Sequence, residues 1–173
     1  MTTQNSNQTI TIRRMHIDDL DLIQQLYAEQ ESHNSDPITK IRINPRQHAW
    51  EMRRIRQKLL TEQRYLACVA TIEDEVGHEK LIGYIAAIIE PQARIFAVET
   101  TASIGELWVL PDYRRRGIGK ALTTELLDMI NQLGIQWITV QLDFANEEVQ
   151  AFFKNSGFTP AAIELRLQLS RDS

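Results

Sequence analysis

Between Leu107 and Lys120 the chain reads Leu-Trp-Val-Leu-Pro-Asp-Tyr-Arg-Arg-Arg-Gly-Ile-Gly-Lys, an apolar strand running through a basic turn into the start of an amphipathic helix. That order is what a phosphate cradle requires. Backbone N–H groups at a helix start have no carbonyl partner and carry the positive end of the helix dipole, so they attract phosphate oxygens. Gly117 and Gly119 keep side chains out of the way, and Arg114, Arg115, Arg116 and Lys120 add long-range attraction and bidentate contacts to a polyanion. The same residues would equally serve an ordinary strand-turn-helix connection with solvated arginines. Two better-known phosphate motifs do not fit. The Walker loop needs four residues between its glycines and a hydroxyl where Ala121 stands, and the dinucleotide fingerprint needs a third glycine.

A second motif lies about thirty residues on. Asn146-Glu147-Glu148-Val149-Gln150-Ala151-Phe152-Phe153-Lys154-Asn155-Ser156-Gly157-Phe158 reads as an Asn-capped short helix with an aromatic pair, closed by Gly157. Together the Arg114-x-x-Gly117-x-Gly119 turn and the capped helix resemble the two signatures of the GNAT superfamily of acetyl-CoA-dependent N-acetyltransferases. The resemblance covers about Ile82 to the C-terminus, while the N-terminal third agrees only in element order.

This resemblance implies an α/β fold with a mixed central sheet of about six or seven strands flanked by about four helices, and acetyl-CoA as cosubstrate without a metal. Two neighbouring parallel strands, Ser103 to Leu110 and Trp137 to Leu142, would splay apart and receive the pantetheine arm. Main-chain groups of Leu107, Trp108 and Val109 would pair with it. An N–H of Val109 or Leu110 would donate to the thioester oxygen as charge develops there. The pyrophosphate would sit on Arg114, Arg115, Arg116, Gly117, Ile118, Gly119 and Lys120, and Asn146 and Phe153 would complete the cofactor side. The acetyl group would pass directly to the amine of a small molecule or a peptide. The alternative implied activity is an acyl-CoA-binding sensor or partner subunit that has lost the chemistry. Pairing into homodimers is common among such proteins.

The attacking amine must lose a proton, so a base or orienting acid is needed. Glu106 is the acidic residue on the strand before the turn. Period-two alternation places it on the face opposite Ser103 and Gly105, where such bases are often found, unless a bulge re-aims it; a structural ion pair is the competing role. Phe153 stands where many members carry the tyrosine thought to protonate the leaving thiolate. Tyr84, on the strand before the site, is the candidate substitute, against the plainer role of a core ring with a paired hydroxyl.

The elements that must position these residues follow from hydrophobic spacing. Thr9 to Arg13 alternates like a strand. Asp18 offers a cap for an amphipathic helix over Asp19 to Glu29, with Leu20, Ile23, Leu26 and Tyr27 on one side. The polar connection Ser32 to Asn44 leads to Pro45, which opens a second helix to about Leu60 with Met52, Ile55 and Leu59 as its stripe. In the resemblance these helices and their connection wall the acceptor cleft, together with the strand region after Phe158. His33, Asn34 and Asp36 are its candidate hydrogen-bonding residues, whereas His48 and Trp50 read as helix surface and packing. Arg46, Arg53, Arg54, Arg56 and Lys58 read as a solvated basic face. Arg64 to Ile72 and Lys80 to Ile89 form a hairpin, and Arg94 to Glu99 extends it. Ile118 to Leu133 is a helix of about four turns ending at Gly134, Trp137 to Leu142 a buried strand, and Ile163 to Ser170 a strand with one wet face.

Length and charge narrow the field. A chain of 173 residues, 43% hydrophobic, is expected to form one domain over residues 8–170 after a disordered start at residues 1–7. The net charge of -4 argues against general nucleic-acid binding. No apolar run approaches a membrane span and the first ten residues carry no secretory core, so a cytoplasmic location is expected with no membrane partner. The single cysteine, Cys68, lies inside an apolar run and is expected to be buried.

Overall fold

The computed structural model describes residues 9–33, 45–73, 77–92, 100–142 and 145–163, with backbone alone for 27–33 and 45–52. The expectations for residues 1–7, for Asn34 and Asp36, for Arg94 to Glu99 and for the alternating segment after Ile163 fall outside these residues. The chain divides into two compact units, Met1–Gln141 and Leu142–Ser173.

The first unit is built on a five-stranded sheet in the order β1 (Ile10–Arg14), β2 (Tyr65–Glu73), β3 (Glu79–Pro91), β4 (Thr100–Val109), β5 (Trp137–Val140). Neighbours are antiparallel except β4 and β5, which are parallel. A parallel pair needs a long crossover, and α3 (Ile118–Gln132) supplies it. Before β2 come α1 (Leu20–His33) and α2 (Pro45–Thr61), the latter opened by proline at its first position as expected. The second unit carries α4 (Glu147–Asn155).

Alternation along the central strands makes two apolar faces. On one, Ile23 and Leu26 of α1 meet Val69, Leu81, Tyr84 and Trp108, and Leu59 of α2 meets Tyr65, Ala67 and Ala86. On the other lies α3, burying Ile118, Leu122, Leu126, Met129 and Ile130. Cys68 belongs to this second face. Its Sγ lies 3.3 Å from Met129 Sδ, and burial pushes the thiol up to about 12.

Several boundaries differ from the sequence reading for identifiable reasons. Asp19, not Asp18, turns the chain into α1: its carboxylate accepts from the His16 N–H at 2.7 Å. That helix then runs to His33, so His33 ends a helix rather than opening a connection. The strand at Trp137 is four residues long and not buried, with Trp137 60% exposed, because it borders the described sheet and pairs only with β4.

One guanidinium ties the first strand to its neighbours. Arg13 forks onto Asp19 at 2.7 and 3.0 Å and onto Glu79, at the start of β3, at 2.8 and 3.0 Å. Hydrogen bonds from Arg13 and then Thr71 hold the Glu79 carboxyl at about 2. For Asp19, burial pushes upward, but Arg13 and the His16 N–H outweigh it and the carboxyl is lowered. Carboxylates depressed in the folded state stabilise it above their unfolded pKa, and that contribution is lost as pH falls through the folded value. Stability is therefore expected to decline as pH drops from 4.5 to about 2. Urea melts across that window should show a shallower decline for Arg13→Met; equal slopes would show that the network carries no stability.

Candidate acyl-transfer site

The site begins with a defect in β4. Ala86 pairs with Glu106 but Ala87 pairs with Ile104, so Gly105 is an extra residue with no partner on β3. Pairing with β5 also stops here, its last partners being Ile104 and Val140. A bulge of this kind reverses the alternation beyond it. Residues directly opposite in an antiparallel pair share a face. Ser103 lies opposite Ile88, Glu106 opposite Ala86 and Trp108 opposite Tyr84, so Ser103, Glu106 and Trp108 all face α1 and α2. The unbroken alternation that set Glu106 opposite Ser103 is thereby corrected.

The main chain beyond the bulge is directed in an equally definite way. Leu110 N–H donates to Ile82 C=O at 2.9 Å. Alternate residues of an antiparallel strand send both backbone groups to the same side, so Leu110 and Trp108 address β3. Leu107 and Val109 address the side from which β5 has withdrawn. Of the two amides weighed for a thioester oxygen, Leu110 is thus engaged and Val109 is turned outward. The Val109 carbonyl accepts from Arg114 Nε at 2.9 Å.

The basic turn then forms in two left-handed steps. A single 3-10 turn over Pro111–Tyr113 is followed by Arg115 at φ 61° and Gly117 at φ 79°. The second value favours glycine whatever the space around it. The first bond of α3 runs from Ala121 N–H to Gly117 C=O at 3.0 Å, leaving the N–H groups of Ile118, Gly119 and Lys120 without a helix carbonyl. Arg114 lies 4.4 Å above the Trp108 ring. Arg116 donates to Asp112 C=O at 3.0 Å and sits 5.3 Å over Tyr113. The turn therefore holds its own shape while these two guanidinium groups stay exposed. Arg115 and Lys120 are exposed as well.

On the helix-facing side, Glu106 meets a residue read from the sequence as solvated. Arg56 of α2 is only 1% exposed, and its Nη2 donates to both Glu106 carboxylate oxygens at 2.9 Å; the Glu106 side chain is 12% exposed. Arg56 Nη1 donates to Gln24 Oε1 of α1 at 2.7 Å. Burial alone would lower the Arg56 pKa, but Glu106 outweighs it and keeps the guanidinium charged. Tyr65 and Tyr84 border the same group, and burial first, with Glu106 second, pushes both phenols well above the usual tyrosine range. Tyr84 is 0% exposed within the core cluster of α1, a setting that makes it a poorer proton donor. A sequence signal for Arg56 did exist: with Met52, Ile55 and Leu59 it completes the i, i+3, i+4, i+7 stripe that faces a core.

In the second unit, Asn146 caps α4 by accepting from Val149 N–H at 3.1 Å. Phe153 is buried, edge to face with Phe152 and Phe158 at 5.1 and 5.3 Å. Among the described residues, no group of three or more His, Cys, Asp or Glu is placed to hold a metal ion, and no helix is long and apolar enough to cross a membrane.

The model of the acetyltransferase (GNAT) family matches residues 22–158. The chain belongs to that family. A mycothiol acetyltransferase of Beutenbergia cavernae is 35% identical over 65 residues, 36% of this chain and 22% of the relative. A ribosomal-protein alanine N-acetyltransferase of Escherichia coli is 31% identical over 62 residues, 36% of this chain and 42% of the relative. These matches thus span well under half the length of either curated relative. The structure of an acetyltransferase from Clostridium acetobutylicum, described as predicted and solved with acetyl-CoA, superposes with a TM-score of 0.70 at 16% identity, covering 92% of this chain and 96% of that one. The GNAT fold expected from the two motifs is present, with five described strands rather than six or seven and with four α-helices.

The joint between β3 and β4 leaves no room at Gly83. A Cβ there would come within 2.9 Å of the Trp108 carbonyl oxygen and 3.2 Å of Val109 Cγ2. Gly83→Ala must displace β4 at the segment whose outward groups matter, at a cost of about 1–3 kcal/mol. Thermal melts should show that loss, and chemical shifts of Trp108 and Val109 should move. An unchanged melting temperature would show that the strands yield freely.

Proposed function

We propose that this GNAT chain moves an acetyl group from acetyl-CoA to a primary amine of a small molecule or a peptide. The observation that carries the reading is a single connection, from β4 to α3, that offers outward backbone groups beside a helix start rich in unpaired N–H groups. The N–H groups of Ile118, Gly119 and Lys120, with Arg114, Arg115, Arg116 and Lys120, suit a pyrophosphate. Gly117 and Gly119 carry no side chains to obstruct it. Leu107 and Val109 suit an amide-containing arm, in place of the Leu107, Trp108, Val109 set. We also read residues 8–170 as one acetyltransferase domain, because the family match runs across both compact units. Asn146 and Phe153 belong to its second signature. The relatives named for mycothiol and for a ribosomal-protein alanine support both arms of the substrate class. The single cysteine, a buried thiol, suits a reducing compartment such as the cytoplasm.

Acetyl-CoA supplies an acyl group activated as a thioester. The amine nitrogen attacks the carbonyl carbon, a C–N bond forms, the C–S bond breaks, and an alkylammonium yields an amide, a thiol and one proton. An alkylammonium with a pKa near ~10 has no lone pair and must first be deprotonated. Glu106, on the helix-facing side, is our candidate to orient the amine and accept that proton. The Val109 N–H would stabilise charge developing on the thioester oxygen. Phe153 offers no proton to the leaving sulfur. A thiol pKa near ~8.5 makes the free thiolate only about 2 kcal/mol uphill at neutral pH, so a dedicated acid is dispensable. Tyr84 can act there only as a buried hydrogen-bonding phenol. The second reading, an acyl-CoA sensor, is favoured by that same Phe153 and by a Glu106 already held by Arg56.

Thermal-shift titrations with acetyl-CoA, CoA and ATP, followed by thiol release over an amine panel, separate these readings. Stabilisation by both CoA forms with turnover is the expected result; stabilisation without turnover would establish the sensor, and stabilisation by ATP alone would remove both. Lys120→Glu adds negative charge to the first turn of α3, which favours the helix and repels phosphate. It should leave the melting temperature of the free protein unchanged while lowering CoA affinity about tenfold, a loss of about 1.4 kcal/mol. Unchanged affinity in both Lys120→Glu and Arg116→Ala would refute the phosphate assignment.

A further inference from the structure

Five polar side chains from five different elements converge under the bulge: Gln24 of α1, Arg56 of α2, Tyr65 of β2, Tyr84 of β3 and Glu106 of β4. Gln24 and Arg56 occupy equivalent places on their helices. Each completes an i, i+3, i+4, i+7 stripe that otherwise holds apolar residues, Leu20, Ile23 and Tyr27 in one case and Met52, Ile55 and Leu59 in the other. Polar groups at such positions are costly. A buried guanidinium and carboxylate each pay several kcal/mol of desolvation, and an apolar pair of similar volume is often as stable or more so. Stability therefore does not account for the pair.

The cluster is also incompletely satisfied. Gln24 Nε2 is buried with no hydrogen-bond partner, and the buried Tyr65 Oη, in a residue 6% exposed, has only the Arg56 guanidinium beside it. Such atoms are rare in a finished core. Glu106 is the cluster member nearest the open part of β4 and the most exposed of the charged pair. Both of its oxygens accept from Arg56 Nη2, and Tyr84 also hydrogen-bonds the carboxylate; with about four lone-pair sites in all, a carboxylate so held still has acceptor capacity left.

We propose that Arg56 is a positioning residue: it fixes the Glu106 carboxylate so that its remaining lone pairs receive the acceptor amine at the transfer point. This rests on the acetyltransferase reading above and deepens it. Gln24 orients the guanidinium in turn through its Oε1. Glu106 on a mobile tether would meet the amine in many geometries, whereas a carboxylate clamped from α2 meets it in one. A misplacement of about 1 Å at such a point can reduce a rate roughly 100-fold.

The test uses the full chain, its best amine from the panel, and the variants Arg56→Met and Arg56→Lys. Steady-state thiol release gives kcat and the two KM values, and thermal melts give the folded fraction at the assay temperature. Arg56→Met should lower kcat/KM for the amine by about 100-fold while leaving KM for acetyl-CoA within about twofold, and Arg56→Lys should recover about tenfold of that loss. If Arg56→Met does not fold, Arg56→Lys alone decides: it keeps the charge but not the fork, so it should lower amine kcat/KM about tenfold at full folding. Activity that merely tracks the folded fraction, or a KM for acetyl-CoA that rises as much as the KM for the amine, would overturn the positioning role. A wild-type chain that acetylates no amine overturns the enzymatic reading and this inference together; an active wild type matched by its variants overturns this inference alone.

Discussion

One unpaired residue, Gly105, governs how this molecule is organised. A strand with unbroken alternation would keep Ser103 and Glu106 on opposite faces of the sheet. The bulge turns both toward α1 and α2 and coincides with the end of pairing between β4 and β5. Two consequences come from that one insertion. A carboxylate enters the space under the N-terminal helices, and the backbone of Leu107 and Val109 loses the neighbour it would otherwise have bonded. Bulges at the margin of a pairing are where proteins re-aim side chains, because the local ladder is already ending and little hydrogen bonding is sacrificed.

The two sides of β4 then solve opposite electrostatic problems. On the helix side, charge is buried and must be matched, and Arg56 and Glu106 do so at 2.9 Å with Gln24 holding the far guanidinium nitrogen. At the C-terminal end of the strand, charge is exposed. There Arg114 rests on Trp108 and on the Val109 carbonyl, and Arg116 on Tyr113 and the Asp112 carbonyl. Aromatic faces and carbonyls order a guanidinium without neutralising it. The turn is thus pre-shaped and still positive, within a chain whose net charge is -4. Little ordering entropy is left to be lost when a polyanion arrives.

What could be read from the sequence divides along the same line. The starts of α2, α3 and α4, the two signatures and the hairpin are local features, fixed by capping residues, glycines and hydrophobic period, and they appear where spacing places them: Pro45 opens α2, Gly117 precedes α3, and Asn146 caps α4. The facing of Glu106 is not local. Period-two reasoning cannot register an inserted residue, since Gly105 looks the same in a straight strand and in a bulge. Arg56 was hidden for a different reason. Composition makes a run of arginines look solvated, and only its register with Met52, Ile55 and Leu59 betrays that it points inward. Trp137 errs in the other direction, since an apolar run reads as buried although its strand lies at the border of the described sheet.

The geometry of β4 sends its side chains, its backbone groups and its outgoing turn in different directions. Side chains at Glu106 and Trp108 leave the strand perpendicular to the sheet, toward the helices. Backbone groups at Leu107 and Val109 leave it within the sheet plane, and the turn after Leu110 continues along its axis into α3. The two sides are joined at Trp108, whose ring faces the helices and carries Arg114 of the turn. Displacing the strand itself moves all three at once. That makes the close contact between Gly83 and the Trp108 carbonyl a structural requirement on the whole site, because it fixes how near β3 holds the one strand on which every direction depends.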